Sequence, residues 1–183
     1  LYVSKSDIPD INDIDGDGDL DVLTFGVIGS RVEYHKNLSV EDGYGCDSLY
    51  YELKNECWGH FMETGFGTNT AVLFDTCTVV ISDPQKGSEV LKHAGSTLLT
   101  LDLNNDGVKD LVLGDVSFNN LVALTNDNLG VNMNTSFLSQ DTTFPSNTVS
   151  VEMQIFPGSF YEDVDNDGVK DLIVSPNSDN ETT

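Results

Sequence analysis

Apolar residues in this chain come in short runs broken by glycine, asparagine and aspartate, and nowhere do they sustain a 3.6-residue period. Val22-Leu23-Thr24-Phe25 reads as a strand, Gly26 to Ser30 as a turn, and Arg31-Val32-Glu33-Tyr34-His35 alternates like a strand with one covered face. The plan returns downstream, with Leu111-Val112-Leu113, a turn through Gly114 to Asn120, and Leu121-Val122-Ala123-Leu124. Ser96 to Leu101, Ser159-Phe160-Tyr161 and Leu1-Tyr2-Val3 are further predicted strands, and Ile8-Pro9-Asp10 runs into a polar stretch. Short strands separated by turn residues predict an all-β domain.

The polar stretches share one grammar. Asp13, Asp15, Asp17, Gly18 and Asp21 stand at positions one, three, five, six and nine of a loop; Asp102, Asn104, Asp106, Gly107 and Asp110 repeat the spacing, as do Asp163, Asp165, Asp167, Gly168 and Asp171. Calcium takes six to eight oxygens from carboxylates, amides, backbone carbonyls and water, and alternating Asp/Asn turns three side chains toward one centre. Position seven (Asp19, Val108, Val169) varies in side chain, as expected where only its backbone carbonyl is offered. Glycine at position six reaches positive φ without a Cβ penalty. Position two is apolar in every copy (Ile14, Leu103, Val164), which predicts that this side of the loop faces a core.

An EF-hand shares the first half of this pattern but needs a bidentate Glu at position twelve, where this chain has Thr24, Leu113 and Val174. The ninth-position Asp is expected to close the shell instead, in a strand–loop–strand site. The competing reading is an ordinary acidic turn, for which Asp, Asn and Gly are the usual residues; three copies of one spacing favour the metal.

The pattern Asp-x-Asp/Asn-x-Asp-Gly-x-x-Asp, followed by a short strand and Phe25-Gly26 or Leu113-Gly114, resembles the FG-GAP / VCBS-type repeat of integrin-α-like β-propellers; the third copy departs, with Ser175-Pro176. The resemblance implies a partial β-propeller of about three blades of antiparallel strands, with about three Ca2+ sites formed by the loop positions named above. The layout Cys57-Trp58-Gly59, Asp75-Thr76-Cys77, His93-Ala94-Gly95-Ser96 and Gly114 to Asn120 is similar to large secreted VCBS-repeat proteins of Bacteroidetes exported by type IX secretion. Blade units are expected at roughly 1–40, 85–130 and 150–183. Because propellers need four to eight blades, the remaining blades of the same polypeptide are an expected partner.

The loops are unequally spaced: 61 residues separate Asp102 from Asp163 but 89 separate Asp13 from Asp102. The excess of 28 is assigned to a cysteine-containing insertion at roughly 41–80, which holds Cys46, Cys57, Cys77 and the only tryptophan, Trp58. Clustered cysteines predict a disulfide, of open connectivity, and hence an oxidising compartment; a zinc site lacks the Cys-x-x-Cys spacing. Trp58 is either an aromatic binding platform or a packed core residue.

Composition narrows the function. A net charge of −23 with eight basic residues among 183 excludes a nucleic-acid surface. No apolar run approaches the roughly 18 residues of a membrane helix, and the chain opens at Leu1 without a signal peptide, so it is read as a mature segment of something longer. His35, His60 and His93 are scattered, with no His-Glu-x-x-His or Gly-x-Ser-x-Gly, so no catalytic site is expected. The expected function is a non-catalytic secreted or cell-surface segment for adhesion, scaffolding or binding of a protein or glycan ligand. The alternatives are an accessory module of a larger polysaccharide-degrading enzyme and an integrin-like receptor head.

Overall fold

The computed structural model describes residues 1–27, 30–44, 48–63, 67–77, 95–126 and 136–177, and every regular element among them is a strand. The first sheet is an antiparallel meander of β1 (Asp10–Asn12), β2 (Asp21–Phe25), β3 (Val32–Asn37) and β4 (Tyr51–Trp58), paired in that order. A short hairpin follows, β5 (Phe61–Glu63) with β6 (Ala71–Leu73). The second meander consists of β7 (Ser96–Leu101), β8 (Asp110–Asp115), β9 (Leu121–Asn126) and β10 (Phe137–Phe144). Then β11 (Pro157–Glu162) pairs with β12 (Asp171–Pro176) in a two-stranded sheet. These sheets are open; the described strands close neither a barrel nor a ring.

Each nine-residue loop therefore sits in the same structural place, between the first two strands of its sheet. The two meanders occupy equal spans, Asp10–Trp58 and Ser96–Phe144. The length difference between repeats lies after them: the connection runs over 59–95 following the first sheet and over 145–156 following the second. Residues 51–58, expected as part of the insertion at 41–80, instead form the last strand of the first sheet.

Two expectations are corrected. Leu1-Tyr2-Val3 forms no strand and is exposed; the first strand is Asp10–Asn12, because the residues that pair are those that abut the next sheet. Val164 is 63% exposed, unlike Ile14 in the core and Leu103 packed beside it, because the face of the β11–β12 hairpin that Val164 sits on is uncovered.

Alternation explains the stacking. In β8, Leu111 and Leu113 point into a cluster with Leu23, Phe25, Val32, Tyr34 and Trp58 of the first sheet, while Val112 points the other way with Leu121, Ala123, Tyr161, Leu172 and Val174. The three strands β7, β8 and β9 of the second sheet are thus covered on both faces, which is why they are buried almost throughout. Trp58 is fully buried, edge-on to Phe137 at 5.4 Å between ring centroids, so it is a core residue joining two sheets and not a surface platform.

The leading strands of the sheets lie side by side. Ile8 bridges Thr97 in parallel, with the Leu98 N–H donating to the Ile8 carbonyl at 3.0 Å. On the other side the Thr97 hydroxyl donates to the Pro157 carbonyl at 3.0 Å. A Cβ on Gly114 would stand 1.8 Å from that Pro157 oxygen, so the glycine after the strand is where β11 approaches β8 too closely for any side chain. A disulfide joins Cys57 at the end of β4 to Cys77 beyond β6, pinning the long connection to the first sheet. Cys46, His93 and Phe66 lie outside the described residues.

Candidate metal centre

All three loops are built on one hydrogen-bond frame. The first-position carboxylate accepts from the glycine N–H five residues on: Asp13 from Gly18 at 3.2 Å, Asp102 from Gly107 at 2.8 Å, Asp163 from Gly168 at 2.9 Å. The fifth-position carboxylate accepts from the N–H two residues on: Asp17 from Asp19 at 3.1 Å, Asp106 from Val108 and Asp167 from Val169 at 2.8 Å. The ninth-position carboxylate accepts from the N–H of position two: Asp21 from Ile14 at 3.1 Å, Asp110 from Leu103 at 2.9 Å, Asp171 from Val164 at 3.1 Å. Side-chain oxygens close the turn, and the loop bends around them.

The backbone needs two left-handed residues per loop. Position six has φ of +99°, +87° and +90° at Gly18, Gly107 and Gly168. Position four also has positive φ, at Gly16, Asn105 and Asn166, and Gly and Asn are the residues that reach this region at least cost. Sequence reasoning missed position four, though its restriction to Gly and Asn in the three copies is the signal that finds it.

The ninth residue ties each of the first two loops to its sheet. Asp21 is fully buried; its Oδ1 accepts from the Asn37 N–H at 2.8 Å and its Oδ2 from the Tyr34 hydroxyl at 3.1 Å. Asp110, also fully buried, accepts through Oδ1 from the Asn126 N–H at 2.9 Å. Burial pushes the Asp21 carboxyl up to about 6, against the pull of its donors, and raises Asp110 likewise.

Among the described residues, three groups of carboxylates bring one oxygen of each member within 4.8 Å of the others: Asp13 with Asp15 and Asp17; Asp17 with Asp19 and Glu41; Asp163 with Asp165 and Asp171. Glu41 comes from the β3–β4 connection and was not legible as a partner of the first loop. Asp19 joins through its side chain as well: its Oδ2 accepts from the Val40 N–H at 3.1 Å. The second loop, with Asn104 at position three, contributes no such group; there the Asn104 amide donates to Asp106 at 2.7 Å.

The residues fit a hard cation. In the first loop Asp15 Oδ1 and Asp19 Oδ1 are buried with no hydrogen-bond partner, and the Asp15 side chain is only 8% exposed. Unpaired buried carboxylate oxygens are costly unless a cation meets them. Burial also raises the Asp19 carboxyl, and the charges of Asp17, Glu41 and Asp15 add to the effect. A divalent ion would reverse this crowding. Asp13, Asp15, Asp17 and Asp19, and separately Asp163, Asp165 and Asp171, would hold it.

One cation is already present. Lys36 on β3 reaches into the first loop, forming ion pairs with Asp15 and Glu41 and lying 3.0 Å from Asp17. Burial acts to lower its basicity, but these pairs outweigh it and hold the ammonium above the ordinary lysine range. The same ammonium and the Asp19 N–H hold Asp17 below the usual carboxylate range although burial opposes them.

The fold and the site thus define an all-β protein of stacked antiparallel sheets, with repeated acidic loops suited to metal. No protein-family model matches the chain, and neither does any curated protein or any solved structure.

Proposed function

We propose that this chain is a calcium-stabilised, non-catalytic segment of a secreted or cell-surface β-propeller that serves adhesion, ligand binding or scaffolding. The observation that carries the reading is the recurrence of one loop frame at one place in three of the four sheets, with carboxylate oxygens buried and unpartnered in the first. Each antiparallel meander has the make-up of a blade, and the two-stranded β11–β12 sheet that of a blade's inner half. The side-by-side leading strands β1, β7 and β11 support a radial arrangement that further blades of the same polypeptide would complete. The disulfide supports an oxidising, extracellular setting.

Calcium's role in this reading is structural. Binding to the folded form alone stabilises by RT ln(1 + [Ca]/Kd), about 2.7 kcal/mol per site at 100 times Kd. The test is calcium titration calorimetry on the chelator-stripped chain, with thermal melts in EDTA and in millimolar calcium. Calcium should bind and raise Tm by several degrees, and Asp167→Ala should remove one site while leaving the others. A Tm unchanged to within about a degree would refute the structural role.

A further inference from the structure

The three loops differ in one respect that their shared frame hides. In the first, the residue before Asn37 is Lys36; in the second, the residue before Asn126 is Thr125, and Asn37 and Asn126 occupy matching places because each backbone N–H holds the ninth-position Asp. In the third, Lys170 pairs outward with Glu162 at 3.9 Å and lies over the Tyr161 ring. The first loop therefore carries an ammonium that the second lacks at the matching position. That side chain is nine-tenths buried and is gripped by Asp15, Asp17 and Glu41.

We infer that Lys36 is a tethered counter-cation of the first loop: its ammonium holds Asp15 and Asp17 together without metal, and a divalent ion must displace it toward Glu41 to load the site. This rests on the reading of the loops as cation sites. An ammonium and a divalent ion sharing Asp15 and Asp17 would stand a few ångströms apart, where like charges repel strongly in a partly buried setting. Glu41 offers the ammonium somewhere to go, since its side chain is 40% exposed and it already shares the lysine. Two consequences follow. The first loop, despite having the most carboxylates, binds calcium more weakly than its ligand count implies, and it keeps its shape when calcium is scarce. The Asp15 oxygen left without a partner is the contact that the lysine, already shared among three carboxylates, does not make.

The experiment uses the intact wild-type chain, reductively methylated in EDTA and in saturating calcium, with labelling at each lysine read by mass spectrometry. Lys36 labelling should rise several-fold with calcium while that of Lys170 stays level. Calorimetry on Lys36→Met and Lys36→Arg completes it. Removing the charge should tighten one calcium site by about tenfold or more, while Lys36→Arg, which keeps the charge, should not. Unchanged Lys36 labelling in a chain that does bind calcium overturns the inference and leaves the metal sites standing. No calcium binding by wild type or by either variant overturns the metal sites themselves. If Lys36→Met folds only in calcium, the lysine's part in holding the empty loop is supported directly; if it folds in neither condition, the wild-type labelling decides.

Discussion

Asp10 Oδ2 accepts hydrogen bonds from both the backbone N–H of Thr100, at 3.0 Å, and its hydroxyl, so the first strand of one sheet is fastened to the first strand of the next through a single buried carboxylate. Asn12 reinforces the seam, its amide donating to the Thr100 carbonyl and hydroxyl, each at 3.0 Å. The seam is polar because two strands that meet edge to edge leave backbone groups that apolar packing cannot satisfy.

That carboxylate sets a pH dependence. Burial pushes Asp10 up from 3.8 to about 6, its donors only partly opposing this. A folded-state value above the unfolded one means protonation favours the folded chain; the contribution is complete below about pH 4 and is lost as pH rises through about 6. In EDTA, Tm should therefore rise as pH falls from 7.5 toward 5. Asp10→Asn keeps an acceptor for Thr100, so it should shallow that slope and add roughly 3 kcal/mol at pH 7.5. An unaltered slope in urea melts across this range would show that burial of Asp10 is not its source.

Gly114 tests the packing of the last hairpin. The oxygen that a new Cβ would strike belongs to the Pro157 backbone, which cannot swing aside. Gly114→Ala should cost about 1–3 kcal/mol, with hydrogen exchange quickening over residues 157–176. Gly26→Ala makes the control, since its Cβ would meet only the end of the Glu33 side chain, at 2.6 Å. Equal losses in the two variants would argue against the close approach of β11.

The loop glycines should behave differently. A Cβ on Gly168 would meet nothing within 4 Å, so only its φ of +90° forbids a side chain. Gly168→Ala should cost about 1–2 kcal/mol, and Gly168→Asn less, because asparagine tolerates the left-handed region. Equal Tm values for the two variants would place the constraint elsewhere.

Reducing the Cys57–Cys77 bond should lower stability by about 3 kcal/mol, roughly 6–12 °C in Tm, as for a ring of this size in a chain of this length. Cys77→Ser should match the reduced wild type. If reduction leaves the melt in place, the long connection is held by its packing alone.

The sequence by itself determined the loops and, apart from the entering strand β1, the hairpins around them. A nine-residue turn closed by its own side chains is a local object, so Asp13, Asp102 and Asp163 and their glycines could be aligned with no knowledge of what they pack against. The apolar strands β2, β7, β8 and β9 were legible for the same reason: each is covered by neighbours, and the covering is written in its own composition. The polar outer strands β4 and β10 were not, because Tyr51–Trp58 and Phe137–Phe144 become strands by adding to an edge already formed. Only the tertiary structure decided that Cys57 pairs with Cys77, that Trp58 joins two sheets, and that Lys36 and Glu41 enter the first loop. Those contacts depend on how strands distant in sequence are stacked, a matter on which spacing along the chain is silent.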